Sequence, residues 1–76
     1  MNADHSLDCI GLYCPMPIVK TAEKIKELKQ GEVLEIVADD KGIKPDMAAW
    51  CKATGNELLG VEEEAGEYKV YVKKSK

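Results

Sequence analysis

A chain of 76 residues holds one domain and leaves no room for a second. Lysine supplies all 11 positive side chains, against 14 carboxylates and a net charge of −3; the lack of arginine forks and of a basic surface argues against direct nucleic-acid binding. No apolar run approaches the roughly 20 residues that cross a bilayer, and MNADHSLD has neither a basic n-region nor an apolar h-region, so a cytoplasmic protein with no membrane contact is expected.

Residues 5–9, HSLDC, place Leu7 and Cys9 on one face and read as a strand. A helix is expected to begin directly after Cys14. Its buried stripe would be Ile18, Ala22, Ile25 and Leu28, with Val19 and Thr21 on the flank and Gly31 stopping it as a C′ glycine. Residues 32–38, EVLEIVA, read as a second strand with Leu34, Ile36 and Ala38 on one face. The loop Asp39–Gly42 follows. Pro45 at a first helical position and Gly55 past the end bracket a second helix, with Met47, Trp50, Cys51 and Thr54 as its inner stripe. Two strands are expected near 56–63 and 67–73, joined at Ala65-Gly66, with Val70 and Val72 alternating with Lys69, Tyr71 and Lys73. About 1–4 and 74–76 would be flexible ends of the single domain spanning 1–76.

The order β-α-β-α-β-β makes an α+β protein. Neither helix can bury its stripe alone, so both should cover one face of a four-stranded mixed sheet, giving a two-layer sandwich. The other sheet face is left at least partly open. A final strand ending in lysines would resist edge-to-edge pairing.

The stretch GLYCPMPI, residues 11–18, spends two of the three prolines directly after a cysteine. Pro15 pushes Cys14 out of the α region, toward the extended geometry of an N-cap. Pro15 then fits N1 and Pro17 fits N3, where no intrahelical bond is lost. With a proline at N3, only the Met16 amide is left to face the Cys14 sulfur. The helix macrodipole places about half a positive charge at the same point, and helix N-termini are among the places where thiolates are favoured. Cys14 is therefore a candidate reactive thiol. The plainer alternative is a small buried residue followed by helix punctuation.

The stretch LDCIGLYCPMPIVKT resembles the signature of TusA/SirA-like sulfur carrier proteins: a Leu-Asp strand end, a Gly-Leu turn and Cys-Pro-x-Pro opening the first helix. Gln30-Gly31-Glu32, Ala38-Asp39-Asp40 and the run from Trp50 to Asn56 extend the likeness over nearly the whole chain. The resemblance implies a two-layer α/β sandwich with Cys14 carrying sulfur as a persulfide. It implies a sulfur donor of the cysteine desulfurase or rhodanese type and a downstream sulfur-accepting protein, for tRNA thiolation, molybdenum cofactor maturation or sulfur oxidation. One departure is Ile10, at a position commonly basic in such proteins, which suggests a different partner or a more apolar contact.

Cys9, Cys14 and Cys51 are an odd count without a leader peptide, so a reducing compartment and at least one free thiol are expected. Cys9 and Cys51 read first as small core residues, with a resolving thiol or a secondary redox role as the alternative. His5, Cys9 and Cys14 match no zinc spacing, and no cofactor is expected. Glu62–Glu64 read as a solvated strand end, and Asp8 and Asp39 equally as turn caps or as a carboxylate that orients the helix N-terminus. Two functions are carried forward. The first is a sulfur carrier acting through Cys14, sulfurtransferase-like. The second is a regulatory or protein-interaction module that uses the open sheet face and keeps Cys14 for helix geometry.

Overall fold

A computed structural model describes residues 3–13 and 16–75. The elements are β1 (His5–Cys9), α1 (Met16–Ile25), β2 (Val33–Ala38), α2 (Ile43–Thr54), β3 (Glu57–Glu64) and β4 (Glu67–Lys73). The sheet order is β1-β2-β4-β3. β1 and β2 are parallel, and β4 runs antiparallel to both β2 and β3. Three strands therefore point the same way, and the last strand of the chain slots between two of them. β4 is an interior strand, contrary to the edge role implied for it; the edges are β1 and β3. Edge protection falls instead to the glutamates of β3 and to the bulge between Leu58 and Gly60 that breaks its register.

The α+β sandwich is as expected. Leu34, Ile36 and Ala38 of β2 and Val70 and Val72 of β4 are wholly buried. They pack with Ile25, Leu28, Ile43, Met47 and Cys51 in one core between sheet and helices. α1 lies on β1 and β2, α2 on β3 and β4, and the helices touch each other.

Both helices differ in detail from the expectation. α1 ends at Ile25, well short of Gly31. Its last turn tightens through bonds from Glu27 N to Lys24 O and from Leu28 N to Ile25 O, so Leu28 reaches the core from outside the helix. Its buried positions are Pro17, Thr21 and Ile25, a stripe turned by one residue from Ile18 and Ala22. Thr21 can occupy the core because its hydroxyl donates to the Pro17 carbonyl at 2.7 Å, leaving no polar group unpaired. Gly31 does not cap α1; its amide donates to Lys74 O at 2.7 Å. α2 begins at Ile43, so Pro45 is its third residue, where a missing N–H still costs nothing. Its inner stripe is Ile43, Met47 and Cys51, with Trp50 half-buried. Thr54 is exposed and bonds back to Trp50 O. Gly55 closes the helix as expected, with φ 81° and its amide on Cys51 O.

The face away from the helices is less open than the strand alternation suggests. Tyr71 is only 3% exposed. Its hydroxyl lies 2.9 Å from Glu35 Oε2 and 3.1 Å from Glu62 Oε1. Burial, reinforced by the two carboxylates, pushes its pKa up to about 12. At the far end from the Cys14 loop, Asp4 is paired with Val33, and Lys74 and Ser75 are hydrogen-bonded to residues 28–32 and 56.

Candidate functional site

The parallel strands deliver three connections to one end of the sheet: the loop after β1, the loop after β2 and the β3–β4 hairpin. The register pairs Cys9 with Ala38 and Ala38 with Tyr68, so these connections lie side by side. In parallel α/β units this end, where helices begin, is where chemistry collects.

The loop after β1 is fixed by its own side chains. Asp8 Oδ1 accepts the Ile10 amide at 2.9 Å, and Leu12 N donates to Cys9 O at 3.2 Å. Asp39 Oδ1, at the end of β2, accepts the Gly11 amide at 3.0 Å and so ties the two loops together. Asp8 thus caps its own turn, one of the two roles expected of it, whereas Asp39 bridges two loops. Cys14 and Pro15 lie outside the described residues, so the N-cap reading of Cys14 and the N1 reading of Pro15 are not described by the structure. Their neighbours are. The Met16 amide, the donor expected to face the Cys14 sulfur, donates to the Tyr13 carbonyl at 2.8 Å. That donor is therefore satisfied by a backbone carbonyl.

Electrostatics at this end set the two helix starts apart. α2 has Asp46 in its first turn, whereas α1 has no acidic residue there. The positive end of α1 is left uncompensated by its own side chains, and Lys20 follows one turn on.

Cys9 and Cys51 are free thiols in the core, 0% and 3% exposed. Burial raises the Cys9 pKa, with Asp8 adding to the shift and Lys20 opposing it. Burial alone pushes Cys51 up to about 11. Both are small core residues, the reading favoured from sequence, and neither is poised as a thiolate. His5 lies at the opposite end of β1, 3.3 Å from Glu32.

The surface beside Cys14 has a feature the sequence reading left unassembled. Ile10, Tyr13, Met16 and Val19 are the large apolar side chains most exposed among the described residues, at 41, 75, 42 and 42%, and all four flank the motif. Their spacing was visible in the sequence. Their exposure was not, because it depends on α1 turning Pro17 and Thr21 inward.

The family model described as "Sulfurtransferase TusA" matches residues 5–74. The chain is 53% identical over 74 residues to the putative sulfur carrier protein YrkF of Bacillus subtilis (strain 168), covering 97% of this chain and 40% of that one. A putative sulfur carrier protein of Aquifex aeolicus (strain VF5) is likewise longer, and the chain spans 38% of it at 42% identity. The sulfur carrier protein TusA of Allochromatium vinosum is 40% identical over 72 residues, with 95% of both chains covered. Among solved structures, a SirA-like protein from Desulfitobacterium hafniense superposes with a TM-score of 0.81 at 19% identity, over 95% of this chain and 99% of that one, which shows the fold. The chain belongs to the sulfurtransferase TusA family.

Proposed function

We propose that the protein is a sulfur carrier whose working group is Cys14. The Cys14 thiolate attacks the outer sulfur of a donor persulfide. The donor's S–S bond breaks, a new S–S bond forms on Cys14, and the donor leaves as a thiolate. The sulfur keeps its oxidation level, so no external oxidant or reductant enters. An acceptor thiolate then takes the same sulfur in the reverse sense. A donor of the cysteine desulfurase or rhodanese type and a sulfur-accepting protein are the partners this requires.

The observation that carries the reading is the division among the three thiols. Cys9 and Cys51 are core residues with raised pKa values, and Cys14 adjoins a helix start without an acidic side chain. A low-pKa thiol is both the attacking and the leaving group in such exchange. The second reading, docking through the open sheet face, loses support from Tyr71, which that face buries under its own glutamates. Incubation with a cysteine desulfurase and cysteine, followed by intact mass measurement, tests the proposal. The wild type should gain the mass of one sulfur atom and Cys14→Ser should gain none, while keeping its fold because serine differs from cysteine only by oxygen in place of sulfur. Loading that persists in Cys14→Ser would move the chemistry to another cysteine.

A further inference from the structure

We infer that the Cys14 end is a docking face for a protein whose contact surface is apolar at its centre and basic on one side. The choice of this end rests on the reading of Cys14 as the sulfur-carrying thiol; the chemistry of the partner rests on the residues around it.

The apolar centre is Ile10, Tyr13, Met16 and Val19. Met16 and Val19 are one turn apart on the outer face of α1 and so adjoin; Ile10 and Tyr13 belong to the loop that leads into that helix. Side chains of this size at 41 to 75% exposure together present a patch of a few hundred Å², the size at which exposed apolar area on a monomer is often functional. None of the four is a core residue; α1 reaches the core through Pro17, Thr21 and Ile25 on its inner face.

The size of the patch also limits its occupant. Obligate dimers bury about 2,000 Å² or more, whereas transient encounters fall below about 1,200 Å². A patch this small fits contact that forms and releases, as a carrier requires, and not a permanent second copy.

Charge identifies the side of the partner. At the same end, residues 39–41 and the hairpin 62–69 carry six carboxylates against Lys41 and Lys69. The hairpin glutamates 62, 63, 64 and 67 line an open concavity of about 530 Å³ with Ala65 and Lys69. The sheet order puts β4 and β3 two and three strands from β1, so the acidic hairpin lies about 10–14 Å across the sheet from the loop that carries Ile10 and Tyr13 at ordinary strand spacing. A partner therefore needs an apolar contact and a lysine or arginine cluster at about that separation. Apolar contact gives the residence time, and the offset charges give orientation and encounter rate.

The test uses Cys14→Ser protein, so that binding is read without thiol chemistry, and labelled helical peptides with leucine on one face and lysine or glutamate on the other. By fluorescence anisotropy at low salt, the Leu/Lys peptide should bind at least about fivefold tighter than the Leu/Glu peptide, roughly 1 kcal/mol. Met16→Ser with Val19→Ser should lose that binding about fivefold. Glu63→Lys with Glu64→Lys should erase the preference for lysine. Equal binding of the two peptides, or no effect of either double substitution, overturns the proposal. A Ser/Lys peptide that binds as well as Leu/Lys overturns the apolar centre. Sedimentation that shows a stable dimer, dispersed by Met16→Ser with Val19→Ser, would make the occupant a second copy and overturn it too. Failure of the wild type to load sulfur sinks the carrier reading and leaves these binding results standing.

Discussion

Alkylation should separate the three cysteines into two classes. Cys51 has two routes to reaction. In the native state its pKa near 11, against an ordinary 9.0, cuts its thiolate fraction about a hundredfold at pH 8. Its 3% exposure slows it further. In an opened state the thiol is ordinary, but opening a core of this size costs about 3–5 kcal/mol, which reduces its population by about two to four orders of magnitude. The routes add, and the faster one sets the rate, so Cys51 should react at least about a hundredfold more slowly than a free thiol. Cys9, wholly buried with a raised pKa, should behave alike. With iodoacetamide at pH 8 and intact mass detection, one adduct should form quickly, on the peptide containing Cys14. The second and third should lag by at least that factor, and all three should form together in guanidinium. A second adduct within about tenfold of the first, or a first adduct at Cys9 or Cys51, would refute the division of labour among the thiols.

Other outcomes can be stated more briefly. Cys51→Ala should cost about 1 kcal/mol at pH 7 through lost packing, read as a lower urea midpoint with sulfur loading retained. The folded pKa of Cys51 lies above its unfolded value of 9.0, so the stability it adds is full below pH 9 and is lost as pH rises through about 11. Wild type should therefore lose about 1–2 kcal/mol relative to Cys51→Ala across that window, a figure set below the full shift to allow for water reaching the thiol; parallel pH profiles for the two proteins would contradict this. Thr21→Val keeps shape but removes the hydroxyl bonded to Pro17 O; it should cost about 1 kcal/mol, and a neutral result would mean that bond adds nothing net. Ala65 sits at φ 53° beside Gly66 at φ 81°, the turn geometry that favours Asn-Gly. Ala65→Asn should raise stability by about 0.5–1 kcal/mol, visible as a higher melting temperature.

The strands and the two-layer class were legible in the sequence because their signals are local. Leu34, Ile36 and Ala38 alternate with outward residues, and the run 67–73 matches β4 residue for residue. The position of β4 was not legible. Its pairing with β2 links residues thirty or more apart in the chain, and no local pattern reports such a choice. The rotation of α1 was missed because threonine reads as polar; its hydroxyl is satisfied inside its own helix, which periodicity of apolar residues cannot register. Tyr71 was missed for a related reason. Its concealment depends on Glu35 and Glu62 arriving from two other strands. The cysteine of the motif is legible from the prolines that follow it and from the family signature around it. The apolar surface around it emerged only once Pro17 and Thr21 were known to face inward.

The antiparallel entry of β4 between β2 and β3 has a consequence for tethering. Because the last strand runs back, Asp4 and Lys74 meet at the same end of the sheet, both bonded to residues 32–33. That end lies opposite the loop bearing Cys14. Any polypeptide joined to either side of this domain would start at the far pole and leave the pole with the loop after β1 unobstructed. The longest dimension of the fold is 30 Å, a span that about nine extended residues can cover. A fused module on a linker of that length or more could fold back to meet the opposite pole, and one on a shorter linker could reach that pole only on another molecule.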